Sequence, residues 1–180
     1  KIVKMSMDVE IPDSPRDAEG NIIDSSFSFT YYRDHYWDNV DLTNDGLVNN
    51  PVFHNKLEYY FGQNMMIQHW DTVLYYAFPF CDELNPKSKM FEYSVGWVTS
   101  FFGKSKIMGM DKVYLEMLNR YYCTENAEGE SPAYWVTEDK FDELWQLNLS
   151  IKASNGEDPE DLKLLQKPDV DSIYKGMKVR

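Results

Sequence analysis

The fold is decided by one aromatic-rich stretch, FSFTYYRDHYWDNVDLTNDGLVNNPVFHNKLEYYF, which runs from Phe27 to Phe61. In its first part, aromatic residues recur at the i, i+3, i+7 and i+8 spacing of a helix face. These residues are Phe29, Tyr32, Tyr36 and Trp37. The spacing predicts a first helix, which a turn-rich link around Gly46 and Asn49 then separates from a second one.

The second helix of this stretch has a strong start signal. Asn50 is a favoured N-cap residue, and Pro51 fits the first helical position because that position needs no N–H donor. The apolar residues of this helix share one face, and they are Phe53, Leu57, Tyr60 and Phe61. Gly62 is expected to end the helix.

The rest of the chain continues the pattern of helices and turns. Helical periodicity predicts further helices over roughly 66–84, 88–103 and 110–122, with a kink or break at Pro79. Another helix begins at the N-cap Thr137, where Val136 and Phe141 form a hydrophobic staple, and a short one follows Asp158. The fold class is therefore all-α, an antiparallel array of about six to seven helices. No repeat motif is legible, so a superhelical path stays open.

These elements suggest a simple organisation. Residues 1–26 form an irregular N-terminal segment that combines a truncated helix end with a loop, residues 27–167 form the helical domain, and residues 168–180 form a C-terminal linker. The sequence begins at Lys1 without a start methionine. We therefore expect it to be a piece of a longer protein.

Composition and charge exclude several classes of protein. Hydrophobic residues make up 43% of the 180 residues and aromatic residues 16%, which excludes a fully disordered chain. The formal net charge of -12 disfavours nucleic acid and anionic lipid surfaces as partners. No apolar run approaches the ~20 residues that a transmembrane helix needs.

Metal and cofactor signals are weak throughout. His54 and Glu58 lie one helical turn apart, but a metal site normally needs three or four ligands. Residues 41–46 resemble the opening of a calcium-binding loop, yet Val52 stands where a bidentate glutamate is required. No nucleotide-binding or nucleophile motif is present. We expect no cofactor, no metal and no catalytic residue.

Cys81 and Cys123 are too far apart in sequence to form a CxxC motif or a zinc-binding pair. Three interpretations stay open, namely two buried apolar side chains, a disulfide in an oxidising compartment, or a reactive thiol.

The chain has more aromatic residues than its helix faces can bury. Because Tyr and Trp combine an apolar body with a polar tip, they suit peptide grooves and sugar stacking. The candidate interaction surface consists of Tyr31, Tyr32, Tyr36, Trp37, Tyr59 and Tyr60.

Three strings carry a resemblance to a known family: YYRDHYWDNVDL at 31–42, PVFHNKLEYYF at 51–61 and SKIMGMDKVY at 105–114. Together they resemble the helical domain of unknown function that precedes the thioredoxin-like domain in TlpA-type thiol:disulfide oxidoreductases of Gram-negative gut anaerobes. The resemblance covers about Met5 to Tyr174.

This resemblance implies a location and a partner. It implies export to the periplasm or cell envelope, often with a lipid anchor upstream, and a thioredoxin-like domain whose first strand would begin near residues 176–179. The redox WCxxC motif of that domain is not in these residues, and the family assigns no catalytic residue to the helical part. The implied function is a non-catalytic accessory domain that positions the redox domain or recruits its client protein. The alternative is a stand-alone helical module that binds peptides or glycans.

Overall fold

A computed structural model describes residues 2–122, 133–154 and 156 of the chain. Within these residues the secondary structure is helical, with one isolated antiparallel bridge between Arg16 and Ile22. The helices are α1 (Ile2–Met5), α2 (Phe27–Asp34), a 3-10 helix (Asp45–Asn49), α3 (Pro51–Phe61), α4 (Trp70–Asp82), α5 (Lys89–Gly103), α6 (Asp111–Tyr121) and α7 (Glu138–Ser154). The predicted all-α, multi-helix fold is confirmed, while a superhelical path stays a prediction.

The chain divides into two compact units, the first spanning Lys1–Ile67 and the second beginning at Gln68. In the first unit, α3 supplies much of the core, where Phe53, Leu57 and Phe61 are fully buried. The predicted start of α3 is confirmed, because the Asn50 side chain accepts a hydrogen bond from the backbone N–H of Val52 at 2.9 Å.

The first helix is shorter than its sequence pattern suggests. α2 ends at Asp34, and the chain then turns, with the N–H of Tyr36 donating to the carbonyl of Arg33 at 3.4 Å. His35 Nδ1 lies 2.7 Å from Asp38 Oδ2, a local contact that favours the turn over a further helical turn. Tyr36 and Trp37 therefore leave the helix axis and pack against residues of α3.

In the second unit α6 packs against α4 and α7, and its main partner is α5. The buried side chains of this helix include Met90, Phe91, Val95, Val98 and Phe102. α4 begins at Trp70, four residues later than predicted, because residues 66–69 are irregular and bent. It continues through Pro79 to Asp82.

The last described helices also follow their predicted patterns. Seven apolar or aromatic residues in and beside α6 follow the helical period, and all are buried: Met110, Val113, Tyr114, Met117, Leu118, Tyr121 and Tyr122. At α7, Thr137 Oγ1 accepts a hydrogen bond from the N–H of Lys140 at 3.4 Å, and Val136 and Phe141 are both buried. The predicted cap is therefore confirmed, and both residues of the predicted staple are buried, while their mutual contact stays a prediction.

The loop between α5 and α6 contains an unusual pair of methionines. Met108 is 97% exposed, whereas Met110 is only 1% exposed. Gly109 between them has a φ of +86°, which a residue with a side chain rarely adopts. This backbone reversal directs Met108 into solvent while Met110 enters the core.

Some predictions lie outside the described residues. These are the helix after Asp158, the C-terminal linker of residues 168–180 and the environment of Cys123. None of the described helices is long and apolar enough to cross a membrane.

Candidate functional site

The candidate surface residues meet in a cluster of aromatic rings in the first unit. Tyr36 lies at its centre, with its ring centroid 5.7 Å from that of Tyr32 and 6.1 Å from that of Tyr59. The rings of Trp37 and Tyr60 approach Tyr36 at 5.1 and 5.2 Å. α2 and the turn after it thus face the tyrosines of α3.

The six residues divide into a packed layer and an accessible layer. Tyr36 and Tyr60 are buried, so their main role is in packing rather than at a surface. Trp37 is partly buried beside Phe53, at a centroid distance of 6.1 Å. Tyr59 is 42% exposed. The partly exposed Tyr31 packs on the His35 ring at 4.1 Å.

An open groove of about 600 Å³ lies over the accessible layer. Its aromatic walls are Tyr32, Tyr36 and Tyr59. The other lining residues are Ser6, Asp8, Val52, Asn55 and Lys56. Ligand sites in proteins commonly have volumes of about 300–1,000 Å³, and combine aromatic walls with a few polar groups, as this groove does.

Lys56 and Asp8 give the groove one charge of each sign. The Lys56 Nζ atom lies 4.2 Å from the centroid of the Tyr36 ring, within the range of a cation–π contact. Burial lowers the pKa of the Lys56 ammonium, and the negative charge of Asp8 opposes this shift. The Asp8 carboxylate accepts a hydrogen bond from the Tyr32 hydroxyl at 3.4 Å.

Burial also raises the pKa of the Tyr36 hydroxyl above its ordinary value, with the neighbouring Tyr32 and Tyr59 adding to the effect. Tyr36 therefore stays neutral over the physiological pH range. In this state its hydroxyl can donate to the carbonyl of Lys56, from which it lies 3.4 Å away.

A second cleft, of about 640 Å³, lies in the second unit between α4 and α6. At its edge Arg120 donates to Asp82 from Nε at 3.3 Å and from Nη2 at 2.5 Å, and the Tyr121 hydroxyl donates to Asp82 at 2.8 Å. The guanidinium also stacks over the Phe78 ring at 4.7 Å. These contacts join α4 to α6. Within them the charges of Arg120 and Asp82 pair with each other.

Cys81 contributes to the lining of this second cleft, but its side chain is fully buried and its thiol is free. Burial raises the pKa of the thiol. Because the thiolate is the nucleophilic form, this cysteine is not a reactive thiol. Of the three interpretations, Cys81 fits that of a small buried apolar residue.

The weak metal signals do not gather into a site. Across the described residues, no group of three or more His, Cys, Asp and Glu side chains could hold a metal ion. In the calcium-loop-like segment, Thr43 Oγ1 donates to Asp41 Oδ1 at 2.6 Å, and the Asn44 side chain accepts from the N–H of Gly46 at 3.2 Å. These oxygens serve the turn and the cap of the 3-10 helix.

Comparisons with known proteins complete the description of the site. No family model, curated protein or solved structure matches the chain. The groove must therefore be interpreted from its own residues.

Sequence reasoning missed the charged residues of the groove, although one signal was available. On α3, Val52, Asn55, Lys56 and Tyr59 recur at i, i+3, i+4 and i+7, which places them on one helix face. This stripe is mixed in polarity and lies beside the apolar stripe that the core uses, so a search for apolar periodicity passes over it. Asp8 offered no signal, because it lies far from α3 in sequence.

Proposed function

We propose that this chain is a non-catalytic docking domain that binds a partner polypeptide in the groove of its first unit. The observation that carries the proposal is the groove itself, in which partly exposed tyrosines surround a lysine and an aspartate. Tyrosine supplies a large contact area at a low entropic cost, and aromatic anchors dominate the binding energy of many protein interfaces.

The proposed setting is an envelope TlpA-type thiol:disulfide oxidoreductase, with a thioredoxin-like domain in the same polypeptide and an anchor upstream. The support is the resemblance of the three sequence strings. Six of the eight described residues that line the groove fall within the first two strings, residues 31–42 and 51–61. Most of the residues that build the groove thus belong to the strings that carry the resemblance. In this setting the domain recruits a client protein or positions the redox domain.

The first test is to read the parent coding sequence past the codon for Arg180. The proposal expects the frame to continue into a thioredoxin-like sequence with a WCxxC motif. A stop codon directly after Arg180 would contradict the proposed setting.

The second test measures thiol:disulfide exchange by the full-length protein with two oxidised substrates, insulin and glutathione disulfide. We expect Tyr59→Ala to slow exchange with insulin and to leave exchange with glutathione disulfide unchanged, because only a polypeptide uses the groove. Tyr75→Ala is the matched control, since Tyr75 is another exposed tyrosine, on α4 in the second unit. Equal rates for the Tyr59→Ala protein and the unmodified protein on insulin would contradict client docking.

The alternative function is a stand-alone module that binds peptides or glycans, which the same tyrosine walls favour. Peptide and glycan arrays probed with the isolated chain address it. Binding to a peptide or glycan, lost in Tyr59→Ala and kept in Tyr75→Ala, together with a stop codon after Arg180, would favour this alternative.

A further inference from the structure

The starting observation is that the Lys56 ammonium forms no ion pair with a described residue, although the charge of Asp8 acts on it within the same groove. In the part of the chain that the structure describes, no carboxylate oxygen lies within 4.0 Å of its Nζ atom. This is notable in a protein with 30 acidic and 18 basic residues, where acidic side chains are abundant. Lys56 is partly buried, so part of its hydration has been lost without an ion pair to replace it.

The position of Lys56 leaves it available to a ligand. Its stem lies on α3 and its ammonium rests on the face of Tyr36, which orients it within the groove. A carboxylate that entered the groove could accept hydrogen bonds from this ammonium, and charge-assisted bonds of this kind are about twice as strong as neutral ones.

Asp8 limits the charge that such a ligand can carry. Its carboxylate faces the same groove, and the Tyr32 hydroxyl fixes it with a hydrogen bond of 3.4 Å. A second negative charge on the ligand would be repelled by Asp8, so one carboxylate is favoured over a dianion.

The remaining walls define the rest of the ligand. Tyr32 and Tyr59 present aromatic faces beside the two charges, and an aromatic ring of the ligand can pack against them in an offset or edge-to-face arrangement. The volume of about 600 Å³ accommodates one or two amino-acid residues rather than a folded surface.

We infer that the groove recognises a peptide segment with a single carboxylate next to an aromatic side chain, in which the carboxylate binds Lys56 and the ring packs on Tyr32 and Tyr59. The choice of a peptide over an acidic sugar rests on the proposed docking function. The order of preference among charged probes is independent of that function and depends only on the groove.

The experiment titrates the isotope-labelled 180-residue chain with three probes that share one indole ring, and follows binding by NMR. N-acetyl-tryptophan carries one carboxylate, N-acetyl-tryptophanamide is neutral, and tryptophanamide is a cation. We expect N-acetyl-tryptophan to bind about tenfold more tightly than its neutral amide, the ratio that one charge-assisted hydrogen bond gives. Tyr59 and Lys56 should show the largest shifts.

Lys56→Met keeps the apolar stem and removes the charge, so we expect it to abolish the preference for the carboxylate. Lys112→Met is the matched control, because the Lys112 ammonium also lies over an aromatic ring, that of Trp70 at 4.9 Å, in the second unit. The comparison of probes on the unmodified chain needs no variant to fold.

Three outcomes would overturn the inference: tightest binding of tryptophanamide, equal binding of all three probes, or glucuronic acid binding more tightly than N-acetyl-tryptophan. Failure of the inference and failure of the docking function are distinguishable. If the charge preference is absent but Tyr59→Ala still slows exchange with insulin, the inference falls and the docking function stands.

Discussion

The packing of α5 against α6 gives a sharp prediction at Gly103. A methyl group at this position would lie 2.7 Å from Cδ2 and 3.0 Å from Cε2 of Tyr114. Tyr114 is buried, so its ring has little room to move away. Overpacking of this kind costs about 1–3 kcal/mol, against a helix-propensity gain from alanine of up to about 1 kcal/mol. We expect Gly103→Ala to lower the free energy of unfolding by about 1 kcal/mol.

Gly96 on the same helix is the matched control. Outside its chain neighbours and the backbone of its own helix, no atom lies within 4 Å of where its methyl group would be, so Gly96→Ala should raise the free energy of unfolding by about 0.5–1 kcal/mol. The two variants should therefore differ by about 2 kcal/mol. The assay is urea denaturation followed by helical circular dichroism, with amide hydrogen exchange to localise the effect to α5 and α6.

A double-mutant cycle isolates the cause. If the Tyr114 ring is the obstacle, Gly103→Ala should cost nothing in a Tyr114→Leu background, because the aromatic atoms nearest the methyl group are gone. The reasoning is refuted if Gly103→Ala is as stable as Gly96→Ala, or if its cost is unchanged when Tyr114 is replaced.

Three other side chains give predictions that denaturation and thiol labelling can check. Asn50→Ala should lower the free energy of unfolding by about 1 kcal/mol through loss of the α3 cap, whereas the exposed Asn55→Ala on the same helix should change it by less than about 0.5 kcal/mol. Ser94→Ala should raise it by about 1 kcal/mol, because the buried hydroxyl has no hydrogen-bond partner in the described residues. A lower free energy of unfolding for the Ser94→Ala protein would show instead that this hydroxyl donates a hydrogen bond. In a Cys123→Ser protein, Cys81 should react with a disulfide reagent far more slowly in the native than in the denatured state, since burial raises its pKa. Similar rates in the two states would contradict that burial.

The sequence predicted the fold best where local chemistry specifies an element. Asn50 followed by Pro51 marks the start of α3 whatever surrounds it, and the period of α6 identifies its buried face. The end of α2 was harder to predict, because Tyr36 and Trp37 continue the helical spacing but pack against α3 from the turn that follows Asp34.

The candidate site shows a sharper limit. In composition Tyr36 and Tyr59 are equal members of the aromatic surplus, yet Tyr36 is buried and Tyr59 is exposed. The difference depends on which ring faces the opposing helix, and this is a tertiary property. Asp8 and Lys56 enter the same groove from distant parts of the chain, so no sequence window contains both.

The two methionines that flank Gly109 would respond in opposite ways to an oxidant. Oxidation of Met108 places a sulfoxide in water, where it disturbs no packing, while oxidation of Met110 would insert a polar group into the core. Peroxide treatment followed by peptide mass mapping should modify Met108 first and leave the unfolding transition unchanged. In an oxidising compartment this loop would consume oxidant at its surface, and the core beneath it would keep its methionine reduced.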